Sequence, residues 1–132
     1  MFSSRYLAMK RSLVVLSLLF LLSTPVLAER ISCTFDVNDV KQSIDIAPKN
    51  DIYAIRKIDL PGGFRFAGQY IPELGKFKAY IYHTPKERFV LLALQDFKST
   101  PQTCPQDFGQ HRVYDSADER ELFFHCIKTC QR

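Results

Sequence analysis

The chain has 132 residues, of which 46% are hydrophobic, 13% aromatic and 24% charged, proportions that exclude a disordered, collagenous or polytopic membrane chain and leave room for one small core. Its formal charge is +4, from 18 basic and 14 acidic residues, but Arg5, Lys10 and Arg11 lie in a segment that reads as a removable signal. Without them, 15 basic residues face 14 acidic ones, too even a balance for a nucleic-acid binder, which needs a basic excess on its folded part.

Residues 1–28 have the three parts of an export signal. Lys10 and Arg11 precede an apolar stretch from Leu13 to Leu22, and Val26 and Ala28 place small or apolar side chains at the −3 and −1 positions of a cut after Ala28. The stretch is short of the roughly 20 residues a spanning helix needs, and Glu29 and Arg30 end it, so a retained anchor is the weaker reading. Met9 is an alternative start to Met1, because the signal is complete from there. The expectation is a cleaved secretory signal peptide over 1–28 and a single β-rich exported domain over 29–132, periplasmic or secreted, with no stable membrane span of its own.

The exported part reads as short strands separated by turns. Ile31, Cys33, Phe35 and Val37 alternate with polar residues; after Asn38 and Asp39, Val40, Gln42, Ile44 and Ile46 alternate again, which predicts a hairpin. A turn over 48–51 leads to a predicted strand over 52–60. Pro61, Gly62 and Gly63 then supply a fixed φ and two permissive ones for a tight turn. Phe64, Phe66 and Tyr70 share a spacing of two, and Gly68 among them suggests a bulge or a sharp bend. Strands over 76–83 and 88–97 follow. In the latter, Phe89, Leu91 and Ala93 oppose Val90, Leu92 and Leu94, so both faces are apolar and both are expected to be covered.

Residues 98–112 show no period and read as a long loop held by a disulfide at Cys104. Two readings of the C-terminal segment stay open. A turn over 115–119 followed by a final strand fits the β-branched and aromatic residues and the alternation of Leu122, Phe124 and Cys126. A C-terminal helix fits the Ser116 and Glu119 capping box. The fold class is thus mainly β, an antiparallel meander closing into a small barrel or a two-layer sandwich, with or without one short C-terminal helix, stapled by two disulfides.

All four cysteines fall in the exported part, and an even count in an oxidising compartment implies two bridges. If the last segment is extended, Cys126 and Cys130 stand about 13 Å apart, beyond the reach of a disulfide. The favoured pairing joins Cys33 to Cys126, first strand to last, and Cys104 to Cys130, loop to tail.

Function is less legible. There is no G-x-S-x-G, glycine-rich phosphate loop, H-E-x-x-H or EF-hand spacing, so no catalytic residue is assigned and the chain is read as not an enzyme. His83 reads as a half-exposed residue beside a turn. Asp96 with Asp107 or Glu87 is a conceivable glycosidase pair, and His83 or His125 a conceivable centre for a small hydrolase. His125, Cys126 and Cys130 with His111 lack the spacing of a metal set, and no metal or cofactor is expected. The candidate binding surface is a stripe of Lys76, Lys78, Tyr80 and Tyr82 on one strand face with Arg65 beside it, a cationic and aromatic patch suited to an acidic partner, a glycan or anionic lipid. The leading expectation is a binding protein engaging another envelope or secreted protein as inhibitor, immunity-type partner or accessory subunit. The alternative is a carrier of a small apolar ligand or lipid, with a cavity lined by Phe64, Phe66 and Phe89.

Overall fold

The computed structural model describes residues 28–131; the predicted signal up to residue 27, and with it the choice between Met1 and Met9, lies outside the described residues. Eight strands follow one another: β1 (Ala28–Val37), β2 (Val40–Ile46), β3 (Arg56–Asp59), β4 (Phe64–Ile71), β5 (Lys76–Lys86), β6 (Arg88–Lys98), β7 (Gln106–Asp115) and β8 (Arg120–Gln131). They form two four-stranded sheets, ordered β2-β1-β8-β7 and β3-β4-β5-β6, with every pairing antiparallel. The chain starts in the first sheet, crosses over for a four-strand meander in the second, and returns so that β8 lies beside β1. Of the two architectures expected, the sandwich is the one that forms.

Local chemistry accounts for the turns. Asn38 and Asp39 both take positive φ, 51° and 63°, which gives the β1–β2 hairpin a two-residue turn whose twist suits the flanking strands. The inward residues of β1, Ile31, Cys33, Phe35 and Val37, meet Leu122, Phe124 and Cys126 of β8 within their own sheet and Phe64, Phe66, Phe77 and Ile81 across the sandwich, all buried. The Phe35 and Phe66 rings, one from each sheet, stand 4.7 Å apart. Each such aromatic contributes on the order of 1.5–3 kcal/mol by leaving water. Both disulfides form as expected, Cys33–Cys126 between directly opposed residues of β1 and β8 and Cys104–Cys130 between the β6–β7 loop and the end of β8. They are compatible with an oxidising compartment.

Several expectations need correction. The strand predicted over 52–60 is only Arg56–Asp59, because Asp51 folds the chain back first: its side chain accepts from the Tyr53 amide and its carbonyl from the Ala54 amide. Gly68 marks no bulge, since β4 and β5 stay in register around it. It is instead a point of close approach between sheets, where an added Cβ collides with Ile46 Cδ1. Register shifts fall instead between β5 and β6, at Ile81 and Tyr82 and again between His83 and Lys86.

The predicted loop over 98–112 shortens, because Gln106–Asp115 is strand β7. A register shift between Asp107 and Gln110, with Gly109 at φ 85°, puts Phe108 and Val113 on the same inner face at an odd spacing, and that break hides the alternation. The C-terminal segment is strand β8 and not a helix.

The largest correction concerns β6. Far from being covered on both faces, it is an edge strand that, among the described residues, pairs with β5 alone, with Phe89, Val90, Leu91 and Leu94 40–51% exposed. Only Leu92, Ala93 and Phe97 pack on the core. An apolar run identifies a strand but cannot show whether a neighbour lies beyond it.

Candidate functional site

The predicted stripe is a real geometric unit. Register places Arg65 opposite Tyr82, Gln69 opposite Lys78 and Ile71 opposite Lys76, so Arg65, Lys76, Lys78, Tyr80 and Tyr82 all lie on the outer face of the second sheet. On the other side of β5, Tyr82 faces Leu91, Tyr80 faces Leu94, Lys78 faces Asp96 and Lys76 faces Lys98. The stripe therefore runs directly into the exposed apolar residues of β6, a continuation that the misjudged cover of β6 had concealed.

Arg65 is held in place from two sides. Its Nε and terminal nitrogen donate to the two oxygens of Asp59 at 2.5 and 3.1 Å, and its guanidinium carbon sits 3.8 Å from the centre of the Phe89 ring. The hydrogen bond from Arg65 holds the Asp59 carboxyl below the usual carboxylate range, its charge adding to the effect. The Tyr80 and Tyr82 rings lie nearly parallel, 13° and 6.5 Å apart. This face carries cations at Lys76 and Lys98 beside an apolar edge whose backbone groups have no partner strand among the described residues.

A second cluster, at one end of the sandwich, was missed as such. His83 is not half-exposed beside a turn but 1% exposed, between Phe64 and the carboxylates of Asp115 and Asp118. Its Nε2 lies 3.0 Å from the Gly62 carbonyl, its Nδ1 2.8 Å from Asp115 Oδ2, and Asp118 Oδ2 3.7 Å from Nε2. One signal was available: Phe77, Ala79 and Ile81 alternate inward, and His83 continues their parity. Its acidic partners come from the end of β7 and the following turn, which no sequence spacing links to β5.

The other candidates do not assemble. Asp96 stands on the outer face of the second sheet opposite Lys78, whereas Asp107 meets His125 at 2.6 Å on the other sheet. Glu87 is nine residues along the chain from Asp96, roughly 30 Å in an extended strand, too far for a glycosidase pair. The Gly109 amide and then His125 hold the Asp107 carboxyl below its usual range. His125 lines an open groove of about 510 Å³ on the outer face of the first sheet, with Thr34, Gln110 and Phe123. Cys126 and Cys130 are bound in disulfides, so the grouping with His125 and His111 offers no thiolate. Phe64 and Phe66 are packed in the core while Phe89 is 40% exposed under Arg65, so the three do not share one face. Among the described residues, no helix is long and apolar enough to cross a membrane.

Comparison with protein-family models, with curated proteins and with solved structures finds no match for this chain.

Proposed function

We propose that this chain is a protein-binding module of the periplasm or another exported compartment, which docks a partner protein along β6 and the adjoining outer face as an inhibitor or accessory subunit. The observation that carries the reading is the 11-residue edge strand β6, exposing Phe89, Leu91 and Leu94 next to the Arg65, Tyr80 and Tyr82 stripe. A long apolar edge left open invites pairing with another strand, and a contiguous exposed apolar patch marks an interaction surface. A partner that adds a strand to β6 satisfies its free backbone groups and covers Phe89, Leu91 and Leu94. Lys76 and Lys98, opposite each other at one end of the patch, favour acidic residues flanking that strand.

The test is cross-linked capture from the native envelope with the oxidised wild-type chain and with a Leu91→Asp, Leu94→Asp variant whose melting temperature is unchanged. One stoichiometric protein held by the wild type and reduced about tenfold or more by the variant, a loss of about 1.4 kcal/mol, is the expected result. Equal retention by both chains, or a wild type that pairs only with itself, overturns the reading. Tyr80→Ala with Tyr82→Ala is expected to weaken capture with the fold intact; equal loss of fold returns both tyrosines to a packing role.

A further inference from the structure

We propose that His83, Asp115 and Asp118 form a binding site for a divalent transition-metal ion, zinc in the first instance. The three residues come from β5 in one sheet, from the end of β7 in the other, and from the β7–β8 turn, and one ligand atom from each lies within 4.8 Å of the others. Their chemistry, one imidazole nitrogen and two carboxylates, suits zinc better than calcium or magnesium, which prefer oxygen alone.

The Gly62 carbonyl can only accept, so His83 Nε2, 3.0 Å away, carries the ring proton and donates it there. In the neutral ring that bond fixes the tautomer and leaves Nδ1 with a lone pair, the arrangement found when a histidine ligates a metal through one nitrogen and is oriented through the other. Nδ1 and Asp115 Oδ2 are both buried and neither has a hydrogen-bond partner, although they are 2.8 Å apart: the two atoms are close without being aligned. With the ring neutral, two buried acceptors face each other, and either a proton or a metal ion between them relieves the repulsion. Neighbouring ligands at about 2.0–2.1 Å from one ion stand about 3 Å apart in octahedral geometry and about 3.4 Å apart in tetrahedral geometry, so the pair needs to open only slightly.

Access and closure fit as well. The His83 and Asp115 side chains are 2% and 8% exposed, whereas that of Asp118 is 41% exposed. Asp118 Oδ2 lies 3.7 Å from Nε2, the nitrogen turned to Gly62, so to complete the set Asp118 swings from solvent toward Nδ1, with water filling the remaining positions. The bound ion joins the two sheets at an end where the described residues contain no disulfide. The rival source of positive charge is Arg120, whose side chain passes beside Gly62.

The experiment uses the oxidised exported chain after treatment with a chelator, titrated with zinc chloride by calorimetry and followed by thermal melting. The expected result is one zinc bound per chain with a rise in melting temperature. Asp118→Asn is expected to melt like the wild type without metal but to bind zinc at least tenfold more weakly. His125→Gln, which removes the exposed histidine beside Asp107, is expected to keep both the stoichiometry and the rise. The proposal is overturned if the wild type takes up no stoichiometric zinc, if Asp118→Asn binds as tightly as the wild type, or if His125→Gln abolishes the binding.

Discussion

The two ends of the sandwich solve the same problem differently. In each, a polar side chain occupies an inward position where alternation calls for an apolar one: His83 on β5 at one end, Lys128 on β8 at the other, 1% and 0% exposed. At the Lys128 end the polar groups are matched. The ammonium donates to the Thr100 carbonyl at 2.6 Å and to Ser99 Oγ at 3.2 Å, and Tyr70 donates to Glu29 at 2.8 Å. Gln106 clips the neighbouring loop through Thr100 and Lys98, and the Cys104–Cys130 bridge holds that loop to β8. At the His83 end, Nδ1, Asp115 Oδ2 and Thr84 Oγ1 are buried without hydrogen-bond partners. A satisfied buried network makes a frame, and an unsatisfied one marks a place where something can bind.

The largest test of this contrast is covalent. Replacing Cys33 and Cys126 by Ser opens a loop of 93 residues and is expected to cost about 4–5 kcal/mol of unfolding free energy, from the chain entropy the bridge removes. Because this bridge sits between the two ends, amide exchange should accelerate at both. Opening the 26-residue loop of Cys104–Cys130 is expected to cost about 3–4 kcal/mol and to accelerate exchange first around Ser99, Thr100 and Lys128. Uniform acceleration from the second variant breaks the distinction between the ends.

Single substitutions probe the same contrast more finely. Lys128→Met leaves the Thr100 carbonyl without its donor and is expected to destabilise by about 1–3 kcal/mol; a stabilised variant in denaturant unfolding shows that the ammonium is a burden there and not a keystone. Asp115→Asn in metal-free protein should behave otherwise. The new amide can donate to His83 Nδ1 while its oxygen still accepts from the Ala117 amide, as Asp115 Oδ1 does now, so stability is expected to change by less than about 1 kcal/mol in either direction. A loss of about 3 kcal/mol or more identifies a buried His83–Asp115 ion pair and makes the two ends alike.

What the sequence disclosed follows the same physical divide. A period of two is local, so β1, the faces of β5 and the shared stripe of Lys76, Lys78, Tyr80 and Tyr82 could be read directly. The Asn38–Asp39 turn could be read as well; for the disulfides an extended Cys126–Cys130 segment excludes its own closure and leaves two pairings, of which the preferred one, first strand to last and loop to tail, is the one that forms. Whatever depended on a non-local neighbour could not. The apolar run of β6 looks the same whether covered or at an edge, the Gly109 shift scrambled the parity of β7, and the partners of His83 and Lys128 arrive through a turn and a loop far along the chain.

The smallest effect belongs to Tyr70 at the matched end. Burial raises its pKa above the ordinary value; the charge on Glu29 and the hydrogen bond donated to it push the same way, while Ser99 opposes them. The folded chain thus holds the phenol proton more firmly than the unfolded chain does. This contribution to stability is fully present below the unfolded tyrosine pKa of about 10 and is lost as pH rises from there through the folded value. Melting temperatures followed from about pH 8 to about pH 11 should therefore fall more steeply for the wild type than for Tyr70→Phe, which has no proton to lose. Parallel curves indicate that the Tyr70 hydroxyl reaches water easily, and the Lys128 end is then less closed than its hydrogen bonds imply.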